Sequence, residues 1–143
     1  MSEIKEKLLE DVYAAWRRHD IDGLVSHFTE DCVYEDLAMG ATNNGRDGLR
    51  QFAEEVLKTM PDFRVEYTRR FATEEFGAGQ WVITATWNGD FEGVDCTGKP
   101  VKFTGLSYYE FEGDKISKGM DCWDFTVMMK QFGVLRDDLR LLK

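Results

Sequence analysis

Residues 101–123 read VKFTGLSYYEFEGDKISKGMDCW, and the period of that stretch decides the fold. Phe103, Ser107, Tyr109 and Phe111 occupy one set of alternate positions and Thr104, Leu106 and Tyr108 the other, after which Ile116 to Trp123 alternates in the same way. Side chains two residues apart share a strand face, and Glu112-Gly113-Asp114 between the runs supplies the residues a tight hairpin needs. The same period recurs upstream in Phe63, Val65 and Tyr67 and again in Gln80 to Trp87, with Gly77-Ala78-Gly79 reading as a second turn. The downstream half is therefore a meander of long strands. Asn88 to Pro100 is a polar, glycine-punctuated excursion from it.

Upstream of Pro61 the period is helical. Ser2 is placed to cap a helix whose apolar positions, Ile4, Leu8, Leu9, Val12, Tyr13 and Trp16, recur at helical spacing until His19-Asp20 ends it. Asp20 or Asp22 opens a short second helix carrying Leu24, Val25 and Phe28, and Cys32-Val33-Tyr34 reads as a brief strand. A loop from Leu37 to Gly45 leads into a third helix, with Leu49, Phe52, Val56, Leu57 and Met60 on one face and Pro61 as its stop. Asp124 caps a last helix, Phe125 to Phe132, closed by Gly133. Helices followed by antiparallel strands predict an α+β domain with its helices packed on one face of the sheet.

Composition bounds what this domain does. The chain has 143 residues, 43% of them apolar and 13% aromatic, which suits a single domain over residues 1–143 with a core and a cavity. Its 18 basic and 27 acidic side chains leave a formal charge of -9, so nucleic acid and anionic membrane surfaces are repelled as partners. Cys32, Cys96 and Cys122 have neither disulfide-framework nor metal-ligand spacing and are expected to be reduced thiols. The N-terminal residues are charged and helical in pattern, no apolar run reaches membrane-spanning length, and a cytoplasmic protein is expected. No metal cluster, phosphate loop or nucleophile triad is present in the sequence, and no cofactor is expected.

Several stretches together resemble one family. Trp16 to Asp22, Phe28 to Asp36, Gly45-Arg46-Asp47-Gly48-Leu49 through Phe52, Pro61-Asp62-Phe63, Cys96 through Gly105, Gly113-Asp114-Lys115-Ile116 and Gln131-Phe132-Gly133 are similar, in order and spacing, to the SnoaL-like polyketide cyclases of the nuclear transport factor 2-like superfamily. The resemblance implies a cone: a curved mixed or antiparallel sheet wrapped around N-terminal helices, with a C-terminal helix and an apolar pocket inside. It also implies a homodimer, formed on the outer sheet face that carries Thr104, Leu106 and Tyr108.

The candidate chemistry lies on carboxylates. In the SnoaL-like cyclases a carboxylate on the last strand is the general acid/base, and Asp121 is the residue at that position. Alternation groups it with Gly119 and Trp123, and an aspartate flanked by Met120, Cys122 and Trp123 is poorly solvated if it points inward. Asp124 suits a helix cap better than catalysis, whereas Asp36 sits where the related ketosteroid isomerases carry their proton-abstracting base. Glu35 belongs to the opposite face. Tyr13, Ser107 and Tyr109 are candidate hydroxyls for a substrate oxygen. Trp16, Tyr34, Phe52, Trp87, Phe103 and Trp123 are candidate walls for an apolar, ring-containing ligand. Many cyclases of this kind carry histidines beside the site. Here the only ones, His19 and His27, lie on or between the first helices, which leaves carboxylates and tyrosines to do any proton transfer.

The expected activity is an intramolecular aldol cyclisation by acid/base catalysis. Isomerisation, dehydration and epoxide hydrolysis are the other outcomes the resemblance allows, and a ligand-binding module without catalysis is the alternative of a different class.

Overall fold

The computed structural model describes residues 1–136 and 138. Helix α1 (Glu3–Arg17) starts at Ser2, whose hydroxyl accepts the Lys5 backbone N–H at 3.2 Å. Leu8, Leu9, Val12, Tyr13 and Trp16 are buried as the stripe requires. Ile4 is not: it is 74% exposed, because the first turn presents Lys5 to the protein instead. The Lys5 ammonium bonds the Gly113 carbonyl of a distant hairpin and sits over the Phe111 ring.

Asp20, rather than Asp22, caps α2 (Ile21–Ser26), accepting the Gly23 N–H at 2.9 Å, while Asp22 pairs with Arg50 at 2.7 Å. Phe28 lies outside that helix and opens β1 (Phe28–Asp36), a strand longer than its apolar centre suggests because Thr29-Glu30-Asp31 in its first half are polar without alternation. The expected loop after it contains β2 (Ala41–Asn44), a short edge strand without a large apolar side chain to signal it. Helix α3 (Gly45–Thr59) follows directly. Its Arg46 guanidinium donates to the Phe28 carbonyl at 2.9 and 2.8 Å, which locks the helix to the start of β1.

Four long strands, β3 (Arg64–Ala72), β4 (Phe76–Thr86), β7 (Pro100–Glu112) and β8 (Lys115–Trp123), form the meander, and the polar excursion folds a small hairpin from β5 (Asp90–Phe91) and β6 (Val94–Asp95). Gly77-Ala78-Gly79 is the interior of β4, not a turn. The turn precedes it, where the Thr73 hydroxyl accepts the N–H groups of Glu75 and Phe76 at 3.3 and 3.0 Å. The glycines are needed for space: a Cβ on Gly77 would stand 2.9 Å from the Phe111 ring and 3.1 Å from Leu9.

The six strands lie in the order β2-β1-β8-β7-β4-β3, with β1 and β8 parallel and the other pairs antiparallel, so the sheet is mixed and open. Register shifts at Tyr67/Arg69 and Glu110/Phe111 bend its strands. Along β7, Val101, Phe103, Ser107 and Tyr109 are buried on the inner face, whereas Thr104 and Leu106 are exposed on the outer one, Leu106 by 55%. Asp124 caps α4 (Phe125–Gln131), accepting the Thr126 N–H at 2.9 Å. All three cysteines are free thiols. No helix among the described residues is long and apolar enough to cross a membrane.

Candidate active site

Strand register sets the inner-face side chains in rows across the sheet. One row runs Asp36, Asp121, Ser107 and Gly79, and the next runs Tyr34, Gly119, Tyr109 and Gly77. A third runs Trp123, Gly105, Trp81 and Tyr67. Glycines stand beside aromatic residues in these rows, and the rings lean into the room the glycines leave. A Cβ on Gly119 would lie 2.6 Å from the Tyr34 ring, and one on Gly105 would lie 2.4 Å from the Trp81 ring.

Asp121 is where the tilted rings deliver their polar ends. Its Oδ1 accepts the Tyr34 hydroxyl at 2.8 Å and the Ser107 hydroxyl at 2.6 Å, and Ser107 Oγ in turn accepts the Trp81 indole N–H at 2.9 Å. Oδ2 takes no hydrogen bond from any described residue. Burial pushes the Asp121 carboxyl from its ordinary range up to about 7; the Ser107 and Tyr34 hydrogen bonds pull it down, and the charge of nearby Asp36 pushes it further up. Asp121 remains partly reached by solvent because the cavity it lines opens outward, yet protein surrounds the carboxyl closely enough for desolvation to dominate. Such a carboxyl exchanges protons near neutral pH.

Asp36, 7% exposed, accepts the Trp123 indole N–H at 3.0 Å and the Met39 backbone N–H at 3.2 Å. Burial raises its pKa too, against the opposing pull of these donors. Glu35 faces away, 3.7 Å from Lys118. Burial also holds the Tyr34, Tyr67 and Tyr109 hydroxyls well above the usual tyrosine range, so they remain protonated donors.

A cavity of about 540 Å³ opens in front of Asp121, within the size range of small-molecule sites. Asp36, Trp16, Tyr34 and Phe52 line it from the helical side and β1, Phe103, Ser107 and Trp123 line it from β7 and β8, and Trp87 lines it from just beyond β4. Its charged lining groups, Asp36, Glu55, Asp90, Glu92 and Asp121, are all acidic.

Tyr13 and Tyr109 do not line it. The Tyr13 ring stacks on Tyr67 at 3.5 Å between centroids, with Tyr67 on the cavity side, and its hydroxyl is buried without a well-formed hydrogen bond. Burial pushes that hydroxyl up to about 12. Tyr109 is 1% exposed in the core, on the row behind Asp121. Tyr67 is not among the residues expected at the pocket, although its place two residues after Val65 puts it on the inner face. Trp81, on β4, lines the cavity as well. Phe91, on the small hairpin, packs against Phe125 and Phe132 and closes one wall with no periodic signal to announce it. Among the described residues, no three histidine, cysteine or acidic side chains group closely enough to hold a metal ion.

Known proteins share the fold and much of the sequence pattern. The sequence profile of the SnoaL-like polyketide cyclases matches residues 6–132. Cyclase aurE of Calcarisporium arbuscula is 28% identical over 96 residues, covering 66% of this chain and 68% of that protein. Among solved structures, AclR of Streptomyces galilaeus, described as a hydroxylase candidate, superposes with a TM-score of 0.79 at 26% identity, covering 92% of this chain and 96% of that one. IdmH of Streptomyces antibioticus, a polyketide cyclase candidate, superposes at 0.77 with 20% identity, over 93% and 100%. A Catenulispora acidiphila protein described as having the ketosteroid isomerase-like fold superposes at 0.76 with 19% identity, over 88% and 92%. With its profile matched from the first helix to the last, its mixed open sheet and its helices on one face, the chain belongs to the SnoaL-like polyketide cyclase family.

Proposed function

We propose that this protein is an acid/base enzyme that closes a ring in a neutral, apolar, carbonyl-bearing small molecule, with Asp121 as the proton-transferring group. The observation that carries the reading is the carboxyl itself: partly desolvated on the wall of a substrate-sized apolar cavity, tied through Oδ1 and free at Oδ2. The name of the related cyclase from Calcarisporium arbuscula agrees with it.

In the proposed step, Oδ2 takes a proton from a carbon between or beside carbonyl groups, leaving an enolate. The enolate carbon attacks a second carbonyl carbon of the same molecule. A C–C bond forms, the carbonyl π bond breaks, and the resulting alkoxide takes the proton back from Oδ2, so the carboxylate is regenerated. Holding the chain folded in the cavity can supply about 7 to 11 kcal/mol of the barrier reduction in favourable cases. Tyr67 lines the cavity, and its hydroxyl keeps its proton and makes no hydrogen bond with a described residue, which suits it to the developing oxyanion. The all-acidic charged lining favours an uncharged ligand, such as an ester, over a free acid.

The test compares Asp121→Asn with the parent for turnover and for ligand binding. Loss of about 100-fold or more in turnover with binding retained is expected of the catalytic base. A parent that binds ring-containing ligands and turns none of them over would instead make this a binding module.

A further inference from the structure

We infer that Trp81 is a positioning residue for the reaction read above, on which this inference rests: its indole N–H occupies one lone pair of Ser107 Oγ and so favours the rotamer that points the serine hydrogen at Asp121 Oδ1. An indole N–H only donates, whereas a serine hydroxyl both donates and accepts. The 2.9 Å contact from Trp81 Nε1 to Ser107 Oγ therefore has one possible direction, and with Asp121 ionised so does the 2.6 Å contact onward, because a carboxylate only accepts. Ser107 is 3% exposed and Trp81 4%, so the competing partner for the serine is the neighbouring Tyr109 hydroxyl rather than water.

Direction matters because Asp121 alternates between two protonation states. With Ser107 and Tyr34 both donating to Oδ1, that oxygen is an acceptor in either state, and the transferable proton is confined to Oδ2. Without the indole N–H, Ser107 could turn and accept a proton from Oδ1. The neutral acid would gain a stabilising partner, and the proton a second, unproductive seat. Gly105 makes the arrangement possible: Trp81 and Gly105 are register partners, and a Cβ on Gly105 would meet the indole at 2.4 Å.

The experiment is a thermodynamic cycle read on the Asp121 carboxyl carbon by NMR titration of the ligand-free protein. Trp81 is replaced by benzothienylalanine, which keeps the bicyclic shape and lacks the N–H; Trp81→Phe is the second variant, and circular dichroism checks that each folds. Ser107→Ala should raise the titration midpoint by about one pH unit, since it removes a hydrogen bond to the charged form. Either Trp81 replacement should raise it by about half a unit, through loss of the polarising donor and gain of the reversed serine. In the Ser107→Ala background the Trp81 replacement should change nothing further. An unmoved midpoint in both Trp81 variants, or a shift that persists without Ser107, overturns the inference. Because the readout needs no substrate, it is independent of whether Asp121 proves to be the catalytic base.

Discussion

Tyr34 and Gly119 are register partners on the parallel pair β1 and β8, and the tyrosine ring fills the space in which a Gly119 Cβ would stand, 2.6 Å from both Cδ2 and Cε2. That lean brings the hydroxyl to Asp121 at 2.8 Å. Gly119→Ala should therefore cost about 1–3 kcal/mol by overpacking and lower the melting temperature by roughly 2–4 °C per kcal/mol. A thermal melt checks the stability, and loss of the Tyr34 hydrogen bond should appear as an upward shift of the Asp121 midpoint.

Asp36 sits one strand over from Asp121 in the same row, and its charge raises the Asp121 pKa. Asp36→Asn should consequently move the acidic limb of the kcat/KM profile to lower pH. The base then ionises more readily, and being weaker it should also lower the plateau. A limb that moved to higher pH would show that Asp36 acts on Asp121 by something other than its charge.

Tyr67 provides a cleaner separation of binding from chemistry. Tyr67→Phe keeps the ring stacked on Tyr13 and removes only the hydroxyl. If that hydroxyl meets the oxyanion, kcat should fall by about 100-fold with little change in KM. Steady-state kinetics on any accepted substrate decides it.

Stability should vary with pH in a direction set by Asp121. A carboxyl whose folded pKa is raised favours the folded state most while both states are protonated, below the unfolded value of 3.8. As pH rises from there, the unfolded chain releases its proton before the folded one does, so stability falls, and the loss is complete above about 7. The full effect is on the order of 4 kcal/mol for a shift from 3.8 to about 7. Asp121→Asn should remove this component and be more stable than the parent at pH well above 7, by urea unfolding, while losing turnover.

How much of this was legible in the sequence follows from what carries a period. Alternation along residues 101–123 announced β7, the hairpin and β8, and it put Asp121 with Gly119 and Trp123 on the face that proved to be the inner one. The family-like stretches are structural fastenings: Asp62 accepts the Thr86 N–H at 2.7 Å, and Lys99 reaches the Phe132 carbonyl at 2.6 Å. What stayed hidden was lateral. The rows across the sheet depend on register, and register joins residues far apart in sequence, such as Ser107 to Gly79 and Asp36 to Asp121. Gly77 and Gly79 resembled a turn because nothing local records that Leu9, Tyr13 and Phe111 need the room. For the same reason Tyr13 was expected at the pocket, when Tyr67 stands in front of it.

The most direct measurement is an NMR titration of the Asp121 carboxyl carbon in the unmodified, ligand-free protein. A midpoint of about 7 is the expected result, since desolvation outweighs the two hydroxyls that bind Oδ1. A midpoint near the ordinary aspartate value of about 4 would contradict the proposal that this cavity holds a working base at neutral pH.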